Sequence, residues 1–448
     1  MHSSSEPPRV AILAEVRRLS RLAAPVALAQ LGMMALGVVD VMMVGHLSKD
    51  ALAAVSLGHT YTFGLMVIGM GALFVLDPLI AQAYGARDAR RLSEALHRGV
   101  VLAVVLSLPL GVLFWAARPL LSALADQPTV VPTAHAYAKV IALGLPGFFL
   151  FLAVKQTLQA MSIVRPVMIA VAVGNVANVV LNYGLVYGEL GLPALGAVGS
   201  GWASSICRWL MVAVIVLAGR PALAEVWQRP TRAILRPGPY GAMLAKGMQL
   251  GVQMALEVWL FTATSFLMMR IGVVAMGGHA VALNLASVSF MIPLGIGAAA
   301  ATRVGQAVGR GDGEGARRAA LSALLLGAAV MLVAALGFVL FPRFLSGLYT
   351  DEPDVLRMAV TLLPIAALFQ VFDGTQAVAC GILRGAGETR APMVINFIGY
   401  WVLGLPTGLF AAFTLGMGPP GLWWGLTIGL LSCAVLLVGW VVRRVGTG

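Results

Sequence analysis

Twelve stretches of roughly 20 mainly apolar residues follow one another along this chain, and no other property limits its fold so tightly. Inside a bilayer no water is present to bond backbone N–H and C=O groups, so a spanning segment must be a helix or part of a closed barrel. About 20 apolar residues is the length of a helix that crosses the hydrocarbon, whereas a barrel strand needs only about 10. The expected spans lie near 22–45, 52–80, 98–117, 134–154, 166–187, 195–218, 244–269, 279–302, 319–341, 356–378, 391–413 and 420–442. With 60% hydrophobic and 11% charged residues, the chain is far from the roughly 45–50% and 25% of a soluble domain. The expected fold class is an all-α polytopic membrane protein with twelve transmembrane helices. The loops are too short for a soluble domain, and the longest of them, 219–243, is rich in Pro and Arg. It divides an amino-terminal six-helix lobe, 1–218, from a carboxy-terminal six-helix lobe, 244–448. No cleavable signal peptide is expected, because the first long apolar segment follows Arg17, Arg18 and Arg21 directly and serves as its own targeting signal.

The net charge of +12 does not imply a nucleic-acid partner, since the basic residues are scattered among short loops and form no single patch. Their distribution tests the span count. Twelve spans put both termini on one side, and 23 of the 30 Lys and Arg residues then fall on that side, Lys155 among them. Six fall opposite, and Arg208 lies inside the sixth span. The positive-inside rule makes the richer side cytoplasmic, so both termini are expected there. A missed span would have inverted the alternation beyond it.

The two halves also repeat. AQAYGARDARRLSEAL at 81–96 matches GQAVGRGDGEGARRAAL at 305–321, Arg-Pro-Val-Met-Ile at 165–169 matches Ala-Pro-Met-Val-Ile at 391–395, and GAVGSGWA at 196–203 matches GPPGLWWG at 418–425. Six spans per half is an even number, so the halves insert in the same direction. Two pseudo-symmetric lobes related by an axis along the membrane normal follow from this.

Four carboxylates stand inside the apolar segments: Asp40, Asp77, Glu257 and Asp373. Each costs about 2.5–3.5 kcal/mol to insert, so such groups are paired, protonated or bound to an ion. Polar residues share helix faces with them. Gln249, Gln253 and Glu257 recur every four residues, with Phe261 and Ser265 continuing the row. Asn175, Asn178 and Asn182 share a face of the fifth span, Gln370, Asp373 and Gln376 recur in the tenth, and Asn284 and Ser287 lie together in the eighth. These faces must look into protein, because lipid cannot satisfy them. A carboxylate among amide and hydroxyl oxygens suits a hard monovalent cation, and equally a proton, because burial disfavours the charged form of an acid. An organic cation could be held by the same charge together with aromatic faces such as Phe261. No Walker A, HExxH or CxxC motif occurs, Cys207, Cys380 and Cys433 imply no disulfide framework, and the six histidines form no ligand cluster. No cofactor and no enzymatic activity are expected.

With these pieces in view, the chain resembles the multidrug and toxin extrusion (MATE) family, in its NorM-like branch. The resemblance runs from about 19 to 442 and rests on Pro25, separated by fourteen residues from the Asp40 of VVDVMMVGHL, then on LIAQAYGA, NVVLNYGLVYG, MIPLGIGAAAATRVGQAVG and ILRGAGETRAPMVINFIGYWVLGLP. It implies two six-helix lobes around a central cleft and export of cationic, often aromatic drugs in exchange for Na+ or H+. It also implies a cation or proton site of Asp40, Asn178 and Asn182, with Ser204 adding a hydroxyl, and a second site at Glu257 and Asp373. Asp40, Glu257, Phe261 and Asp373 are the expected substrate contacts, and Asp77, Gln253, Ser204 and Asn284 are secondary candidates. Phe290 and Phe369 stand where some relatives have tyrosine. The expected protein is therefore a monomeric antiporter of a bacterial inner membrane, whose partners are cationic amphipathic small molecules and membrane lipid. A lipid-linked substrate flippase of the same superfamily and an intramembrane enzyme are the competing readings.

Overall fold

Every expected span forms helix, and the ends of the helices lie where local chemistry stops them. The structure is a computed structural model that describes residues 8–125, 127–228, 234 and 236–446, with the backbone alone at 8–11 and 446. Arg229 and Arg232 of the expected linker, and the side chain of Arg9, lie outside the described residues. The first half comprises α1 (Pro8–Gly45), α2 (Lys49–Leu73), α3 (Leu76–Gly85), α4 (Ala89–Trp115), α5 (Arg118–Leu124), α6 (Val131–Ala160), α7 (Arg165–Tyr187), α8 (Ala197–Ala218) and α9 (Arg220–Val226). The second comprises α10 (Pro237–Ile271), α11 (Val273–Gly309), α12 (Gly313–Leu340), α13 (Pro342–Gly347), α14 (Pro353–Gly385), α15 (Arg390–Phe397), α16 (Leu405–Leu409) and α17 (Pro419–Gly446). Twelve helical segments are long and apolar enough to cross a membrane, the second being α2 continued by α3 and the eleventh running from Arg390 to Thr414. Among the described residues there is no strand.

The internal repeat is written into the backbone. In the first half, Arg87 takes a positive φ of 56°, the Asp88 N–H bonds the Ala83 carbonyl at 3.0 Å, and the Asp88 side chain caps α4 by accepting from Arg91 N at 2.9 Å. In the second, Gly311 takes φ 71°, the Asp312 N–H bonds the Ala307 carbonyl at 3.0 Å, and Asp312 caps α12 by accepting from Gly315 N at 2.7 Å. Ser162 and Gly387 form a second matched pair, with φ 64° and 81°, and Gly196 and Gly418 a third, with 56° and 61°. All three aligned sequence motifs therefore lie at or just after turns of matching geometry, which apolar similarity alone would not produce.

By its contacts the chain divides into two units, Ala29–Gly251 and Met1–Leu28 with Val252–Gly448. Thus α1 up to Leu28 groups with the carboxy-terminal residues, and α10 up to Gly251 with the amino-terminal ones. In Ala29–Gly251, α8 packs on α6 and α7. Gly199, near the start of α8, lies against the Leu185 carbonyl of α7, where a Cβ would collide. Lys155 belongs to this interior and not to a cytoplasmic loop: α6 continues to Ala160, and the Lys155 ammonium, 2% exposed, donates to Gln30 Oε1 at 2.9 Å. An apolar window that ends at 154 could not show this, because the last turns of α6 are polar.

In the other unit, α11 and α14 make the most extensive helix contact. Gly381 of α14 lies on the Gly297 backbone of α11, an approach that no residue with a Cβ could make. On the α1 side of this unit, Arg303 grips Glu15 with two parallel bonds, Nε to Oε1 at 2.8 Å and Nη2 to Oε2 at 2.9 Å. The eleventh span is irregular: Ile398–Gly404 and Phe410–Thr414 are π-helical. A π turn adds a residue to the repeat and rotates everything beyond it relative to an α-helix, and such turns are frequent at functional sites.

Candidate functional site

In the amino-terminal unit, Asp40 sits on α1 with 4% of its surface exposed. Its Oδ1 accepts from Asn178 Nδ2 at 2.9 Å and from Asn182 Nδ2 at 2.8 Å, and its Oδ2 accepts from the Ser204 hydroxyl of α8. Asn178 and Asn182 are one turn apart on α7, so helical spacing alone aims both at one point. Bonds to a charged group contribute about 1.5–3 kcal/mol each, so three of them offset an insertion cost of about 2.5–3.5 kcal/mol. The amide oxygens of both asparagines are buried without a protein partner. Asn175, on the same face, instead donates to the Gly32 carbonyl at 2.9 Å and ties α7 to α1. Arg208 stands one turn beyond Ser204 on α8, its guanidinium 5.3 Å from the Phe148 ring centroid, with Nη1 buried and unpartnered.

A second constellation lies in the other unit. Glu257 of α10 and Asp373 of α14 are close enough to feel one another's charge. Gln376 and Tyr400 stand beside Glu257, and the Tyr400 hydroxyl, wholly buried, stops short of a geometrically complete hydrogen bond. Gln253 Nε2 donates to Cys380 Sγ at 3.1 Å, and Gln376 Nε2 approaches the same sulfur at 3.7 Å. Four buried oxygens in this cluster have no hydrogen-bond partner in the protein: Asp373 Oδ1, Gln253 Oε1, Gln376 Oε1 and the Tyr400 hydroxyl. Each unmet buried group costs about 1–3 kcal/mol. Such a set of oxygens around two carboxylates is the environment a hard cation requires.

The remaining sequence candidates are elsewhere. Phe261 packs edge-on against Phe369 at 5.9 Å, and Phe369 against Trp423 at 5.3 Å, so Phe261 opens an aromatic cluster adjoining the Glu257 row. Asp77 is buried in the first turn of α3, and the groups that bond Asp40 come from α7 and α8 instead. Asn284 is exposed and turns its amide back onto the Ala280 carbonyl of its own helix at 2.8 Å, away from the acids. Cys380 and His279 stand outside the expected site residues. Cys380 continues the row of Asp373 and Gln376 at one further turn, so its spacing is legible in the sequence. Tyr400 was legible as an aromatic able to face an organic cation, whereas the place of its hydroxyl beside Glu257, in the π-helical stretch, was not. His279, expected near a span end, is fully buried, its Nε2 3.1 Å from the Ser265 hydroxyl.

The sequence model of the MatE family matches residues 25–184 and 250–410, one segment in each half of the chain. The chain belongs to the MatE family. Among curated relatives, the Multidrug resistance protein NorM of Burkholderia vietnamiensis is 38% identical over 429 residues, covering 93% of this chain and 92% of the relative. The Multidrug resistance protein MdtK of Edwardsiella ictaluri is 34% identical over 440 residues and 96% of each chain. Among solved structures, that of the eukaryotic MATE transporter AtDTX14 aligns with a TM-score of 0.88 at 25% identity, over 97% of this chain and 98% of its own. An outward-facing multidrug resistance MATE transporter aligns with a TM-score of 0.87 at 18% identity over 99% of both chains, and shares the fold. The MATE assignment accounts for the two matched segments as its two repeated lobes.

Proposed function

We propose that this chain is a multidrug efflux transporter, which exports cationic amphipathic small molecules across a bacterial inner membrane by antiport with Na+ or H+. Both termini are cytoplasmic in this reading, and the working unit is one chain. The observation that carries it is the Asp40 cluster, a buried carboxylate bonded by two asparagines whose own oxygens are unmet. These amides can serve two states. Toward an empty, charged carboxylate they present N–H groups; toward a bound cation they can rotate and present oxygens. The pair Glu257 and Asp373 supplies the negative charge that attracts either an organic cation or a second coupling ion, with Phe261 as an aromatic wall nearby. Relatives named as multidrug resistance proteins support the substrate class.

Export against the substrate gradient requires that drug and coupling ion exclude each other. Charge supplies the exclusion: a carboxylate neutralised by one cation no longer attracts another. The test is transport by the purified chain in proteoliposomes, with Na+ and pH gradients imposed separately. At least one gradient drives uphill movement of an ethidium-like cation if this reading is right. Movement that only follows the substrate's own gradient under both conditions contradicts it.

A further inference from the structure

We infer that the cavity between the start of α1 and the turn from α11 to α12 is a binding site for a phosphate group, and that the bearer is an anionic phospholipid. The leaflet is the one on the side of the amino terminus, cytoplasmic in the reading above. Neither acid site takes part, so lipid binding here is tested apart from antiport.

The cavity, about 160 Å³, is lined by Glu15, Arg18, Arg303, Arg310, Asp312 and Arg318, all within one unit of the fold. Four guanidinium groups meet two carboxylates there, an excess of two positive charges. The acids leave most of the donors unused. Both oxygens of Glu15, the less exposed acid, are already gripped by Arg303, at 2.8 and 2.9 Å. Arg18 comes no closer than 3.7 Å to Glu15, Arg310 no closer than 4.0 Å to Asp312, and Arg318 no closer than 3.8 Å to Glu314. These separations exceed hydrogen-bond length, and exposed pairs of this kind contribute little. A guanidinium fork matches two phosphate oxygens at once.

The internal repeat supplies a comparison. In the register that pairs Asp88 with Asp312, Arg303, Arg310 and Arg318 correspond to Leu79, Ala86 and Glu94. Charge bias across the membrane is served by arginines anywhere on the richer side. The first half meets it with Arg90 and Arg91, whose side chains are 72% and 79% exposed. In the second half the same turn instead gathers its arginines on one cavity.

Arg318 also stands at the foot of an apolar ridge. Leu321, Leu325 and Leu332 follow it on α12 at i+3, i+7 and i+14, one face of the helix, and are 38%, 59% and 56% exposed. Lipid, not water, adjoins such a face of a spanning helix. A phospholipid with its acyl chains on this ridge brings its phosphate among the guanidinium groups, as basic pockets between spanning helices do for anionic headgroups. The bound headgroup then joins α1 to α11 and α12, the connection that Glu15 and Arg303 already begin.

The test is binding of the first lipid to the purified full-length chain in detergent, followed by native mass spectrometry. Phosphatidylglycerol, phosphatidylcholine and inorganic phosphate are titrated separately. Phosphatidylglycerol should saturate at the lowest concentration, because the choline cation cancels the charge of the same phosphate. Arg310→Gln and Arg318→Gln should each raise its half-saturation concentration about fivefold, and the pair about thirtyfold. Arg90→Gln with Arg91→Gln removes the same charge from the same side and should leave it unchanged. Circular dichroism establishes that each variant is folded, and the single variants carry the test if the pair is not. Equal losses in the two double variants make the effect one of general surface charge and overturn the inference, as does equal binding of the two lipids. Inorganic phosphate that binds as tightly as phosphatidylglycerol, and depends on the same arginines, assigns the cavity to free phosphate and overturns the lipid as bearer.

Discussion

Asp40 shows how a single side chain can be affordable in a membrane and still be reactive. Three donors stabilise its charge, yet all three are neutral groups, so the negative charge itself remains uncompensated at bonding distance. Asp40→Asn should abolish gradient-driven efflux in proteoliposomes while circular dichroism and elution behaviour stay unchanged; normal efflux would reduce Asp40 to a packing residue. Asn178→Ala and Asn182→Ala should each weaken ion affinity by about tenfold, more than they reduce the maximal rate, since each removes one bond and leaves the acid. Much of this cluster was legible in the sequence. An acid in an apolar run must find partners, and asparagines at i and i+4 must share a face. The sequence also placed Arg208 inside the sixth span, but its guanidinium's position above Phe148 depends on how α6 and α8 meet. Neutralising Glu257 or Asp373 should impair export of cationic substrates more than that of neutral ones, in transport assays with matched pairs. Equal loss for both would place these acids in the coupling step alone.

At the scale of elements, caps and close approaches decide where the functional rows point. Asp88 and Asp312 do the same work in the two halves, each capping a helix after a tight turn. Replacing Asp312 by Ala should cost about 1 kcal/mol, seen as a lowered midpoint of thermal unfolding in detergent. Gly381→Val should cost more, about 1–3 kcal/mol from overpacking, and should also disturb ion-dependent dye release, because α14 carries Asp373, Gln376 and Cys380 together. A variant with wild-type melting and release would show that the contact with Gly297 is not what sets the position of α14. Helix existence and turns could be read from hydropathy and from Asp and Gly signals. The π-helical winding after Phe397 could not: it lies where Gly404 packs closely on Gly425 and Gly429 of α17, a tertiary contact that no local pattern announces. Tyr400 was legible only as an aromatic and not as a hydroxyl beside Glu257, and Lys155 read as a loop residue because polar turns at the end of α6 end an apolar window early.

For the whole molecule, duplication supplies two acid sites of unlike construction. One is a lone carboxylate served by neutral donors, and the other is a pair of carboxylates among unmet oxygens. The shared fold was legible from the repeated turns, and the difference between the lobes was legible only in part, as Asp40 against Glu257 and Asp373. If ion and drug compete for this negative charge, their linkage must be reciprocal: the factor by which the ion weakens drug binding equals the factor by which drug weakens ion binding. The decisive measurement is equilibrium binding to the purified protein in both directions, with drug affinity taken across Na+ concentration and pH, and ion affinity taken with and without saturating drug. The account predicts that drug affinity falls as Na+ rises or pH drops, and that the two factors agree. Drug affinity independent of both Na+ and pH would contradict it.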